Sequence, residues 1–152
     1  MSTEPARAAN RDFQLAYLLL RLILGLNIAM HGISRILTGT AHFAATLIPQ
    51  FQSTPLANWA VYDFGLVLPW FEAAIGLLLF LGLYIRLSLI GGSLLMLALT
   101  FGTALRQDWN IAATQLLYAA IYSALLAFAA YDRYSLDTLT THRRKPNPGF
   151  SA

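Results

Sequence analysis

The sequence predicts an all-α integral membrane protein, a four-helix bundle with its N- and C-termini cytoplasmic. Three observations predict it. Hydrophobic residues make up 57% of the chain and charged residues 11%, whereas an average soluble domain is about 25% charged. Four apolar stretches are each long enough to cross roughly 30 Å of hydrocarbon as a helix. Lys and Arg are distributed unevenly around those stretches: Arg7, Arg11, Arg86, Arg133, Arg143, Arg144 and Lys145 fall on one side of four spans, and only Arg35 and Arg106 near the other. Cytoplasmic ends carry the basic excess.

The 152 residues make one domain of ordinary length. Residues 1–12 are polar and read as a mobile N-terminal tail, 13–137 as the four-span membrane domain, and 138–152 as a basic, flexible C-terminal tail. The first span covers 13–37 and is interrupted by Arg21, Asn27, His31 and Arg35. Those interruptions, and the lack of a clear small-residue cleavage site, argue against a cleaved signal peptide. A mixed loop follows over 38–64, with Pro49, Pro55, Asn58, Trp59 and Asp63. The second span, 65–85, holds one charge, Glu72. The third, 87–105, and the fourth, 111–131, hold none, and Arg106 to Asn110 make the polar turn between them. The runs are continuously apolar, whereas strands of a membrane barrel would alternate over about 10 residues. Trp59, Trp70 and Trp109 fall near the outer interface of this arrangement, and Tyr17, Tyr84, Tyr131 and Tyr134 near the inner one. Stripes of small residues, Gly25, Ala29 and Gly32 on the first span and Ser88, Gly91, Gly92 and Gly102 on the third, suit close helix packing in lipid.

Several classes are excluded. Without cysteine there is no disulfide scaffold, thiolate metal site or CxxC redox centre. The net charge of +3 lacks the clustering with interleaved aromatics that a nucleic-acid surface needs, so no nucleic acid is expected as a partner.

Ionisable residues at membrane depth are expensive and usually face a bundle interior, a partner or a water-filled cavity. Asn27, His31 and Arg35 are spaced i, i+4, i+8 and share a helix face, with Ser34 beside them. By helical rise, His31 and Glu72 lie at nearly the same depth in antiparallel spans. Gln115, Tyr118 and Tyr122 share a face of the fourth span, and Arg106 and Trp109 rim the same level. Such a layer, in the outer half of the bilayer, could bind a quinone headgroup or a small anionic reductant. Asn27, Arg35, Arg106, Gln115 and Tyr118 would be binding groups, and His31 and Glu72 would be the proton-moving, catalytic ones. The same groups also read as a buried ion-pair network that fixes helix packing. Arg21 lies about 15 Å from His31 along the helix and cannot join that layer. It reads as snorkelling, binding backbone carbonyls or meeting a partner. A b-type haem is usually held by two axial His. Only His31 lies in a span, His42 and His142 being outside, so this chain alone is not expected to hold haem, although a dimer would bring a second His31. A metal site is not expected either, since it needs three or four convergent ligands.

The stretch RLILGLNIAMHGISRIL resembles the first span of the DoxX family, with Arg21, Gly25, His31 and Gly32 at the matching positions and Arg35 where the family has Lys. The stretch EAAIGLLLFLGLYIRL is similar to the family's second span at Glu72, Gly76, Gly82 and Arg86, and DRYSLD at 132–137 resembles its exit motif. Asn27 departs from the aromatic residue frequent there. The resemblance covers 13–137. It implies a four-span protein of the bacterial cytoplasmic (inner) membrane, in a family that includes subunits of thiosulfate:quinone oxidoreductase. The expected function is a quinone-linked oxidoreductase component, with electrons from a soluble or membrane redox partner subunit or directly from a reductant such as thiosulfate. Rival readings are a non-catalytic anchor or assembly factor for a partner redox protein, and, more weakly, a small transporter. A homo-oligomer is compatible with each.

Overall fold

The computed structural model describes residues 4–138, with side chains from residue 8. Every regular element among the described residues is helical. The first helix, α1, runs Glu4–Thr38 and has 35 residues. It therefore starts inside the stretch 1–12 that the sequence assigns to a mobile tail. Pro5 sits in its first turn, where a missing N–H is harmless, and the Ala and Arg residues that follow are strong helix formers.

Gly39, at φ 99°, separates α1 from α2 (Thr40–Leu47), which leads into a 3-10 turn, Ile48–Phe51. The stretch expected to be a loop, 38–64, is thus mostly helical. Its apolar residues have a place to go: Ala44 is fully buried, and at Gly65 an added Cβ would stand 2.8 Å from the Ala44 Cα. The α3 helix, Asn58–Leu81, begins well before the expected residue 65, with Pro69 inside it. It ends in a Schellman turn. Gly82 takes φ 74°, its N–H donates to the Leu79 carbonyl at 3.2 Å, and that of Leu83 donates to the Leu78 carbonyl at 2.9 Å. Then come α4, Ile85–Leu105, and α5, Trp109–Ala127, followed by a 3-10 turn, Ala129–Tyr131. Asp108 caps α5 by accepting from the Ile111 N–H at 3.2 Å.

The chief contacts are α1 on α3 and α4 on α5. The two pairs join where α3 meets α4, and α2 lies on α3. The small-residue stripe of α1 is the seam with α3. A Cβ added to Gly32 would come within 2.3 Å of both the Ala73 nitrogen and the Pro69 oxygen, and one added to Gly76 within 2.2 Å of the Ala29 nitrogen. Backbones this close gain dispersion contact that lipid tails cannot supply. On α4, Gly92 faces the Tyr122 ring, where an added Cβ would come within 2.2 Å of Cε1.

Among the described residues, four helices are long and apolar enough to cross a membrane, and no more than 39% of the most apolar window in any of them is buried within the chain. Water would not tolerate the remainder as exposed surface. This is a multi-pass membrane protein. The end carrying Trp59 and Trp109 is called outer, following the charge distribution. Both side chains stand exposed in the first turns of α3 and α5. Trp70 differs from the expectation: it lies about 18 Å along α3, near mid-span, because the helix starts earlier. Tyr17, expected near the inner interface, is 4% exposed and packs within the bundle.

Candidate functional site

The outer half of the bundle holds a pocket of about 580 Å³, bounded by α2 and its 3-10 turn, α3, α4 and the start of α5. Its position follows from α3 outreaching α1. Where α1 ends at Thr38, the α3–α4 face continues outward, and the shorter α2 covers it without filling the gap.

At the inner end of the pocket lies an ion pair. Arg35, one turn from the end of α1, donates through Nη1 to Glu72 Oε1 at 2.6 Å and Oε2 at 2.5 Å. The Glu72 side chain is 6% exposed and that of Arg35 28%. The guanidinium carbon of Arg35 stands 4.5 Å from the centre of the Phe43 ring of α2. An opposite charge and a cation–π contact offset what removal from water takes from each group. At the outer end Arg106 donates to Asp108 at 3.3 Å and lies over Phe51, 5.2 Å from its ring centre. Between the two pairs, the Thr103 hydroxyl donates to Gln115 Oε1 at 2.7 Å. This engages the carbonyl end of the amide and leaves its NH₂ available as a donor. Phe64 and Phe101 complete an aromatic wall.

The structure therefore brings Arg35, Glu72, Arg106 and Gln115 to one pocket and sends the other expected residues elsewhere. The His31 side chain is exposed on the outer surface of α1. It does not line the pocket. Asn27 is exposed and accepts from the Tyr118 hydroxyl at 3.1 Å, a link between α1 and α5 outside the pocket. Tyr122 is fully buried against Gly92. His42, on α2, is exposed, and His142 lies outside the described residues, as does nearly all of the expected tail 138–152. Among the described residues no three His, Asp or Glu side chains converge as a metal site. Thr103, Phe43 and Phe51 were not foreseen. The only signal for Thr103 was a hydroxyl one turn from Arg106 in an uncharged span. The two Phe residues gave none, being ordinary apolar residues in a stretch read as loop.

Arg21 forms a separate centre toward the inner end. It is 1% exposed, and it donates through Nη1 to the Leu79 carbonyl and through Nη2 to the Tyr134 carbonyl, each at 3.1 Å. Of the three readings open to it, carbonyl binding is what the structure displays. The Asp137 carboxylate accepts from the Ile85 N–H at 3.0 Å, and the Asp137 N–H donates to the Gly82 carbonyl at 3.0 Å. The segments around Arg21, Gly82 and 132–137, far apart in sequence, thus close on one another.

No family model, curated protein or solved structure matches this chain.

Proposed function

We propose that the chain is a quinone-binding component of a membrane oxidoreductase, of DoxX-like character and resident in a bacterial cytoplasmic membrane. The observation that carries this reading is the pocket: about 580 Å³, inside the roughly 300–1,000 Å³ range of small-molecule sites. Aromatic walls suit a planar ring. The Gln115 amide and Arg106 offer donors for a ring carbonyl, and Glu72 offers a carboxylate that can take up and pass on protons. A quinone becomes a quinol by gaining two electrons and two protons. The electrons would come from a partner redox subunit, or from two thiosulfate ions that join as tetrathionate. Arg106, at the outer end, is the cation such an anion would meet first. His31, outside the pocket, has no part in this scheme.

A second reading is favoured by one feature. The Arg35–Glu72 pair satisfies itself and leaves no net charge, as expected of a packing device in a non-catalytic anchor or assembly factor. Equilibrium dialysis of a short-chain quinone against the detergent-purified chain separates the two. Wild type should bind, and Glu72→Gln and Gln115→Leu should each bind about fivefold more weakly, the value of one hydrogen bond. If wild type binds no quinone, or both variants bind as wild type does, the oxidoreductase reading is wrong.

A further inference from the structure

One polar feature of α1 is not used by the pocket. Asn27, His31 and Ser34 follow one another on one face, and all three are exposed. The surface around them is apolar, with Ile23, Leu26 and Met30 also exposed. This face is far from either end of the bundle. His31 adjoins Gly32, which packs between Pro69 and Ala73 of α3, the level of Glu72. That level lies roughly 14 Å by helical rise from the inner end of α3, close to the middle of a layer about 30 Å thick.

Polar groups facing hydrocarbon at that depth are unfavourable and normally find a partner. Part of the demand is met within the chain. The Ser34 hydroxyl donates to the His31 carbonyl at 3.1 Å, and Asn27 Oδ1 accepts from Tyr118. The NH₂ of Asn27 and both ring nitrogens of His31 have no hydrogen-bond partner among the described residues.

We propose that this face of α1 is an interface with a second copy of the chain, the two His31 rings meeting at a two-fold axis. Hydrogen-bonding chemistry selects the occupant. A neutral imidazole has one N–H donor and one bare nitrogen acceptor, so one ring donates to its twin. A primary amide is self-complementary in the same way: the NH₂ of one Asn27 finds the remaining lone pair of the other's Oδ1. No charge on the face calls for a partner of opposite sign. Both copies insert in the same orientation, as a parallel two-fold pair requires. This inference is independent of what the pocket binds.

The chain has no cysteine, so a single introduced thiol reports contact without background. Ser34→Cys on the proposed interface and Leu97→Cys on α4, also exposed, are expressed in membranes and oxidised. Ser34→Cys should give disulfide-linked dimers and Leu97→Cys should not. Adding His31→Leu to Ser34→Cys should weaken association roughly tenfold, the scale of an interhelical hydrogen bond in lipid. The monomer should keep its helical content, since His31 anchors nothing in its own chain. Equal cross-linking at both thiols, or cross-linking of Ser34→Cys undiminished by His31→Leu, overturns the proposal. So does a purely monomeric chain in liposomes, which would mean that any cover for this face is a different membrane protein.

Discussion

Replacing Arg35 by Leu would take from Glu72, whose side chain is 6% exposed, both of the short bonds it receives from Nη1. Removing one member of a buried pair usually costs about 3–5 kcal/mol. Glu72 escapes part of this by taking a proton, after which a buried carboxyl still lacks partners at about 1–3 kcal/mol. The expected loss is therefore about 3 kcal/mol. Glu72→Leu should cost less, about 1 kcal/mol, because Arg35 keeps its stack on Phe43 and is 28% exposed. The double variant Arg35→Leu/Glu72→Leu replaces the pair with apolar contact and should fall within about 1 kcal/mol of wild type. The coupling between the sites is then about 3 kcal/mol, well above the few tenths seen for independent sites. Thermal unfolding in detergent, followed by circular dichroism, measures it. Arg35→Leu should lower Tm by roughly 6–12 °C at about 2–4 °C per kcal/mol, and the second substitution should restore most of the loss. Additive effects, or a double variant worse than Arg35→Leu, would refute the reasoning. A restored double variant that no longer binds quinone would show that the pair serves the ligand as well as the fold.

Two further outcomes follow from close approaches. Gly32→Leu places its Cβ within 2.3 Å of α3 backbone atoms and must push α1 and α3 apart. It should cost about 3 kcal/mol or more, while Gly91→Ala, whose nearest contact is 3.7 Å away, should be nearly silent; unfolding temperatures of the two, compared in one detergent, test this. Gly82→Ala combines a φ of 74° with a Cβ 2.1 Å from Arg21 Nη1. It should destabilise by more than the roughly 1–2 kcal/mol of a left-handed Ala alone and should match Arg21→Met in exposing residues 132–138 to protease. Intact protection in both variants would remove Arg21 from its assigned role.

The four spans were legible because lipid imposes a length and an apolar run that a sequence displays directly. The pairing of Arg35 with Glu72 was legible as depth, since helical rise fixes depth from residue number. Azimuth was harder. Asn27, His31 and Arg35 do share a face by spacing, yet α1 turns through about 100° per residue with some spread, and α3 meets the edge of that face. Arg35 points toward α3, and His31 outward. The start of α3 was misjudged because Asn58, Trp59 and Asp63 look like loop residues. Outside the hydrocarbon a helix tolerates them, and α2 packs on that portion. Thr103 with Gln115 joins two helices through residue types common in any membrane span, and no pattern within one helix can reveal such a link.

The Arg21 centre also bears on the order in which the chain is made. The guanidinium emerges in the first helix, yet one acceptor belongs to residue 79 and the other to residue 134. Until residue 134 is made it has at most one of them. During that interval a charge that ends up 1% exposed must rest where headgroups or water can reach it, so α1 cannot take its final depth and seating at once. A stretch made only after all four long helices completes the binding of a charge laid down in the first span, and a chain stopped short of residue 134 would hold those helices but lack this fastening.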